Sequence, residues 1–168
     1  MKLTREFVHQ SVSRMNENTP RIRKCLDMLN DAEVWKKPND SANSIGNLIL
    51  HLCGNITQYI LSSMGGQPDE RIRDEEFSAT GGFTKDELMQ KLSATVEAAV
   101  SVLQETGEAE LLQERKVQGF MLTGTGIIVH VVEHYSYHTG QIALLTKLMK
   151  NRDLGFYSGI DLNRKNST

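Results

Sequence analysis

The chain has 168 residues, of which 39% are hydrophobic and 24% are charged, and this balance excludes a disordered protein. A formal net charge of −2, without a dense run of Lys or Arg, argues against nucleic acid or an anionic membrane as a partner. The length suits a single domain, residues 1–168, with its own hydrophobic core.

The N-terminus and the cysteines indicate the compartment. The first residues, MKLTREFVHQ, lack the apolar core of a signal peptide. No apolar run approaches the roughly 18 residues that a membrane helix needs. Cys25 and Cys53 are too few for a disulfide framework, and we interpret them as small core residues in a reducing compartment. A cytoplasmic protein is therefore expected.

The first helix is predicted over residues 3–30, where apolar residues recur at three- and four-residue steps. Pro20 interrupts this pattern. Because proline lacks an amide donor and clashes with the preceding turn, we expect a kink or a short break near Thr19 and Pro20. After Trp35, the polar segment KKPNDSANS is expected to form a loop.

Ser44 is the expected N-cap of a second helix, which ends near Met64 because Gly65 and Gly66 follow. One side of this helix is apolar and carries Ile45, Ile49, Leu52, Ile56 and Ile60. His51 lies on a different, polar side with Asn47, Asn55, Gln58 and Ser62. That polar side faces either solvent or a wet cavity at the edge of the core, and periodicity alone does not distinguish these.

A long polar connection, residues 65–83, follows the second helix and indicates a crossover rather than a tight hairpin. Thr84 and Glu87 form a capping box in front of a third helix at about 84–106. The segment 108–123 has a mixed pattern, which predicts one turn of helix followed by an extended piece.

The fourth helix begins near Gly124 and runs to about Asn151. The tail from about residue 152 is expected to be irregular and its last residues disordered. Four amphipathic helices, without a strongly alternating segment, predict an all-α four-helix bundle with a long crossover connection.

The fourth helix carries three of the five histidines, His130, His134 and His138, at equal spacing. A step of four residues advances only about 40° around a helix, so the three imidazoles share an arc of about 80°. The same arc contains Gln141, Ile127, Leu145 and Leu148. We therefore expect a buried histidine face, and buried imidazoles need polar partners or a metal ion.

A His-x-x-x-His pair on one helix can chelate an ion, because the two side chains lie one turn apart. Two imidazoles leave a Zn²⁺ or Ni²⁺ site short of ligands, so a third ligand must come from another helix. The candidates are His9, which has charged and polar neighbours, and His51, which lies mid-helix among amides and is the better candidate. Three protein ligands would leave open positions for water or substrate, as in a catalytic site.

The histidines also admit a purely structural interpretation. On periodicity alone, His51 is more often a solvated surface residue, and packing explains the row on the fourth helix as readily as metal binding does. Glu133 is expected at the flank or surface, and Tyr135 and Tyr137 are expected to pack. The chain contains no GxSxG, Walker-type glycine loop, CxxC or HExxH motif.

Two runs of sequence resemble the DinB-like superfamily of damage-inducible, metal-binding four-helix bundles, close to its DUF1572-type members. The first is SIGNLILHLCGN at 44–55, and the second is HVVEHYSYHTGQI at 130–142. WKKP at 35–38 is also similar to the family, and the resemblance covers nearly the whole chain. It implies that the metal ligands are His51, His134 and His138, and that His130 lies in the core or supports the ligands.

The resemblance also implies a cofactor and a range of activities. The ion in similar proteins is commonly nickel or zinc, and imidazole suits both. Characterised relatives include thiol-dependent transferases and isomerases that use mycothiol, bacillithiol or glutathione, and others are described as metal-dependent hydrolases. The ion would activate a thiol cosubstrate in the first case and water in the second. Neither Cys25 nor Cys53 matches a family catalytic position, so the nucleophile would come from outside the protein.

A different class of function stays open, namely a metal-binding or stress-response protein without turnover, in which the ion only ties two helices together. Sequence reasoning finds no general base, since Gln141, Asn47 and Asn55 carry amides, which are poor bases. The expected partners are a small-molecule substrate, in particular a low-molecular-weight thiol, and a second copy of the chain, because similar proteins often form dimers.

Overall fold

Four long helices dominate the computed structural model, which describes residues 2–166. They are α1 (Lys2–Asp27), α3 (Ile45–Ile56), α5 (Lys85–Glu105) and α7 (Gly124–Lys150). The helix α3 continues directly into a π-helical turn, Thr57–Ser62. Both α1 and α3 pack against both α5 and α7, so the four helices enclose a common core. The predicted all-α four-helix bundle is confirmed.

Shorter elements occupy the connections between the long helices. They are the helices α2 (Asp31–Trp35), α4 (Arg73–Ser78) and α6 (Glu108–Leu112), and the antiparallel strands β1 (Glu114–Val117) and β2 (Phe120–Thr123). Gln118 and Gly119 join the strands at φ 50° and 86°, as a two-residue hairpin turn of this kind requires. The helix and extended piece predicted for 108–123 are confirmed, whereas α2 and α4 were not predicted.

Two predicted helix starts are confirmed by their capping hydrogen bonds. The Ser44 hydroxyl accepts the amide of Asn47, whose side-chain oxygen accepts the amide of Ser44. Thr84 and Glu87 form the same reciprocal arrangement in front of α5. These caps fix where α3 and α5 begin, and the cap of α3 thereby sets the position of His51, two turns further on.

The helix α1 passes Pro20 without interruption, so of the two expected alternatives the short break is wrong, and the kink stays a prediction. Met15 and Ile22 are fully buried on either side of the proline. The helical register on both sides of Pro20 is therefore held by core packing, which outweighs the roughly 3 kcal/mol that an interior proline costs. The helix ends at Asp27, and the short helix α2 follows after three residues.

The apolar side of α3 is buried as predicted, and so are both cysteines. Leu148 is 70% exposed, so its expected burial on the histidine face of α7 is wrong, although Leu145 and Met149 on either side of it pack against the core. The tail from residue 151 to 166 contains turns only, which confirms its irregular structure. The expected disorder of the last residues falls partly on 167–168, outside the described residues.

Within residues 2–166, no helix is long and apolar enough to span a membrane.

The helix α4 approaches α3 closely at Gly54. A Cβ atom added there would overlap the Glu76 carboxylate of α4 and would lie 2.9 Å from Nε of Arg71. The glycine therefore leaves the space in which Glu76 and Arg71 lie against α3. A larger residue would push this pair away from the bundle.

We expect Gly54→Ala to lower the free energy of unfolding by about 1–3 kcal/mol, because the added methyl group overlaps a buried ion pair. The matched control is Gly140→Ala in α7, where an added Cβ has no neighbour within 4 Å. That substitution should stabilise the helix by about 0.5–1 kcal/mol. Urea denaturation followed by circular dichroism measures both, and equal stability of the two variants would contradict the close approach.

Candidate metal centre

The three histidines expected to act together do meet in the folded protein. His51 comes from α3, and His134 and His138 come from α7, which packs against α3. One ring nitrogen of each lies within 4.8 Å of the others, so the group could hold a metal ion. The Nε2 atoms of His51 and His134 are 2.9 Å apart. This is similar to the roughly 3 Å between two imidazole ligands that each lie 2.0–2.1 Å from one ion.

The cluster lies at the edge of the core rather than on the surface. His51 is 6% exposed and His138 is 8% exposed, whereas His134 is partly exposed. Asn47 and Asn55 on the same side of α3 are also buried. The polar side of α3 therefore faces inward, and the alternative in which His51 is a solvated surface residue is wrong.

Glu76 of α4 orients the imidazole of His51. Its Oε2 atom lies 2.8 Å from Nδ1 of His51, and both side chains are more than nine-tenths buried. Burial raises the pKa of Glu76, but the hydrogen bonds from Arg71 and His51 outweigh it, so the pKa lies below its usual value. Glu76 is therefore a carboxylate that accepts the Nδ1 proton, which leaves the Nε2 lone pair of His51 directed towards His134.

Arg71 neutralises Glu76 from the other side. Its Nε donates to Oε1 at 2.7 Å and its Nη2 donates to Oε2 at 2.9 Å, in a two-pronged ion pair. Nη1 donates to the Gln58 side chain at 2.9 Å. The Arg71 side chain is only 4% exposed, so the whole charge pair is part of the protein interior.

Gln141 orients the second ring. Its Oε1 atom lies 2.6 Å from Nδ1 of His138, so the imidazole donates from Nδ1 and keeps a lone pair on Nε2. Burial lowers the pKa of His138, and it lowers that of His134 to about 3 with a further contribution from the neighbouring His138 and His51. Both rings are therefore neutral near pH 7, which is the form that binds metal ions.

His130 belongs to a second polar layer and not to the cluster. Its Nε2 lies 3.2 Å from Nδ2 of Asn55, and its ring stacks between Tyr59 and His134 at centroid distances of 4.3 and 5.3 Å. The Tyr59 hydroxyl donates to Gln118 at the hairpin tip. His130 therefore packs beside the cluster of His51, His134 and His138, whose role as ligands stays a prediction. Among the described residues, the buried Oδ1 atom of Asn55 has no hydrogen-bond partner.

Three side chains form an outer rim around the cluster, which we define as Arg73, Phe77 and Tyr137. The Phe77 ring lies 4.6 Å from that of His51, and the guanidinium of Arg73 lies over Phe77 at 4.7 Å. Tyr137 contacts His138 at 5.0 Å and is 61% exposed. Aromatic surface and one cation therefore border the cluster where it meets solvent.

The remaining candidates lie apart from the cluster. His9 is exposed on α1, and Glu133 is exposed on α7, as expected for a surface carboxylate. Tyr135 packs in the core as predicted, and its hydroxyl hydrogen-bonds to that of Thr19, whereas Tyr137 is mostly exposed, so its expected packing is wrong. Burial raises the pKa of Cys53 to about 11, so its thiol is not poised for reaction.

Sequence reasoning missed Glu76, Arg71 and the rim residues Arg73 and Phe77. All four lie in the predicted polar connection, in the segment DERIRDEEFS, where several charged residues follow one another. No apolar periodicity in this segment predicts that Glu76 is buried and that its neighbour Glu75 is exposed. The glycine at position 54, one turn after His51, was the available hint that another segment lies against this face.

The comparisons with known proteins agree with this architecture. The model of the DUF1572 family, described as a protein of unknown function, matches residues 2–160. A conserved protein from Enterococcus faecalis is similar at a TM-score of 0.71 and 18% identity, over 86% of this chain and 97% of that one. DinB-like proteins from Bacillus cereus and Bacillus subtilis have TM-scores of 0.66 and 0.65.

The Bacillus cereus protein is 18% identical over 83% of this chain and 90% of its own, and the Bacillus subtilis protein is 17% identical over 86% and 94%. At such identities the likeness shows a common fold. No curated protein matches the chain. The family match spans nearly the whole sequence and the structural relatives share its helical bundle, so the chain belongs to the DUF1572 family and has the DinB-like fold.

Proposed function

We propose that His51, His134 and His138 bind one divalent metal ion, nickel or zinc, in a site with open coordination positions. The observation that carries this proposal is the orientation of the rings. Glu76 and Gln141 accept the Nδ1 protons of His51 and His138, so the lone pair of each ring lies on Nε2, which in His51 faces Nε2 of His134. Partners of this kind orient the histidines of metal sites and raise their basicity.

The first test is the metal content of purified protein without a polyhistidine tag, measured by mass spectrometry. We expect close to one nickel or zinc ion per chain, and a loss of that ion in His138→Ala. His9→Ala, which removes an exposed histidine from α1, is the matched control and should keep its metal. If the wild type contains no metal and added nickel or zinc leaves its melting temperature unchanged, the metal centre does not exist.

For the reaction, we propose transfer of a low-molecular-weight thiol to an electrophile. A divalent ion bound there would lower the pKa of a thiol at its open position. Both cysteines of the chain are buried, so the nucleophilic sulfur would be that of a cosubstrate. In the transfer, the sulfur bonds to the electrophilic carbon, the leaving group takes its bonding electrons, and the thiol proton passes to solvent.

Metal-dependent hydrolysis is the second candidate, and one observation favours it. Asn55 has a buried oxygen without a partner among the described residues, and its amide nitrogen bonds to His130 beside the cluster. A water molecule can donate a hydrogen bond to this oxygen, whereas a deprotonated thiol has no proton to give. His130 accepts the Asn55 amide through Nε2, so it fixes the direction of the free Asn55 oxygen rather than acting as the base.

Turnover assays separate these functions. Metal-loaded protein is mixed with 1-chloro-2,4-dinitrobenzene and glutathione, bacillithiol or mycothiol, and separately with p-nitrophenyl acetate. We expect thiol conjugation with release of chloride, and a loss of at least about 100-fold in kcat/KM for His138→Ala. Ester hydrolysis alone would favour the hydrolase. Bound metal without either activity would favour a stress-response or metal-binding protein without turnover.

We also propose that the chain acts in the cytoplasm as a homodimer. Leu144 and Leu148 support the assembly, because both project from α7 with more than half of their surface exposed. Light scattering should give twice the chain mass of 18.9 kDa for the wild type. Leu148→Glu should give a monomer, whereas Leu112→Glu, at an equally exposed leucine of α6, should not. A monomeric wild type would refute the dimer.

A further inference from the structure

We propose that Arg73 makes the centre selective for substrates that carry an anionic group, such as a carboxylate, next to the atom that reaches the metal. This inference rests on the proposed metal centre and adds the charge of its substrate. It is carried by the outer rim, where a single cation is held at a fixed place beside the histidines.

Arg73 contacts the Phe77 ring, and that ring in turn contacts His51. Its guanidinium carbon lies 4.7 Å from the centre of the Phe77 ring, and that ring lies 4.6 Å from the ring of His51. Arg73 and Phe77 are four residues apart on α4, so they share one face of that helix. The cation–π contact uses the flat side of the guanidinium and leaves its N–H groups in the plane free to bind a ligand.

Arg73 forms no ion pair in the described part of the chain, although the exposed carboxylates of Asp74 and Glu75 follow it on α4. Arg71 and Glu76 neutralise each other in their ion pair, and Asp69 accepts a hydrogen bond from Gln58. Glu75, an exposed residue of α4, lines a cavity of about 360 Å³ together with Cys53 of α3 and Lys91 of α5. Within residues 2–166, no carboxylate lies within ion-pair distance of Arg73.

Aromatic surface defines the rest of the ligand. Phe77 borders His51, and Tyr137 borders His138 with most of its surface exposed. A ligand that reaches the cluster over this rim would place apolar atoms against the two rings and an anionic group against Arg73. A fixed arginine suits a carboxylate especially well, because two of its N–H groups match the two oxygens.

The test compares small thiols that differ in charge and little in size. Protein loaded with Co²⁺ is titrated with 3-mercaptopropionate, 2-mercaptoethanol and cysteamine, and the cobalt–sulfur absorption band gives each Kd. We expect the anionic thiol to bind about fivefold more tightly than the neutral one, and the cationic thiol to bind most weakly. Raising the salt concentration should reduce this preference, because the rim is solvent-exposed.

Variants assign the preference to one side chain. Arg73→Gln should abolish the preference for the anion without changing the Kd of 2-mercaptoethanol, and Arg73→Glu should reverse the order. Arg23→Gln, which removes an exposed arginine of α1 that bonds to Ser93, is the control and should change nothing. Equal affinities for all three thiols, or an unchanged order in Arg73→Glu, would overturn the inference.

A second set of ligands separates this inference from the proposed thiol chemistry. If cobalt binds but no thiol produces the band, acetate and acetamide are compared through their effect on the visible cobalt spectrum. A preference for acetate that Arg73→Gln removes would support the anion selectivity and refute the thiol reaction. No preference for acetate would refute the selectivity as well.

Discussion

The hydrogen bond between His51 and Glu76 connects the bundle to its candidate metal centre. It joins α3 to α4 across the interior, and both partners are almost fully buried. A lone buried carboxylate would be costly, which is why Arg71 enters the same space and pairs with it in two-pronged geometry. Removing either charge would leave the other unpaired, at a cost of about 3–5 kcal/mol.

The surrounding structure serves to keep this contact in place. Because Gly54 has no side chain, there is room beside α3 for the Glu76 carboxylate. The side-chain amide of Asn47 donates to the backbone carbonyls of Glu76 and Ala79, so it fixes the C-terminal turn of α4 against α3. Asn47 also caps α3 together with Ser44. One buried amide therefore sets both the start of the helix that carries His51 and the position of the segment that carries Glu76.

The sequence predicted well the parts of the fold that follow from periodicity and capping. The four long helices, the caps at Ser44 and Thr84, and the irregular tail needed only local rules. His51, His134 and His138 also come together as expected: the residues alone favour His51 over His9, and the family resemblance implies the same three histidines. That they are metal ligands stays a prediction.

The parts that sequence reasoning missed depend on contacts between distant segments. Glu76 and Glu75 are adjacent acidic residues in a polar connection, and only the packing of α4 on Gly54 buries one and exposes the other. The unbroken α1 has the same kind of cause. The local cost of Pro20 is visible in the sequence, whereas the burial of Met15 and Ile22 that outweighs it is a property of the assembled bundle.

The buried polar side chains between α3 and α7 are better explained by the binding of a ligand than by a contribution to folding stability. An apolar core of similar volume would avoid the burial of His51, His130, His134 and His138, and it would leave no orphan oxygen at Asn55. The protein instead places four imidazoles at the edge of its core beside an exposed rim, with Nε2 of His51 and His134 2.9 Å apart, and burial lowers the pKa of His134 and His138. A cation bound between them would turn this unfavourable arrangement into a favourable one. Burial of these polar groups lowers the free energy of unfolding of the metal-free bundle, and binding of the ion would raise it again. Metal binding and folding stability should therefore be linked in this protein.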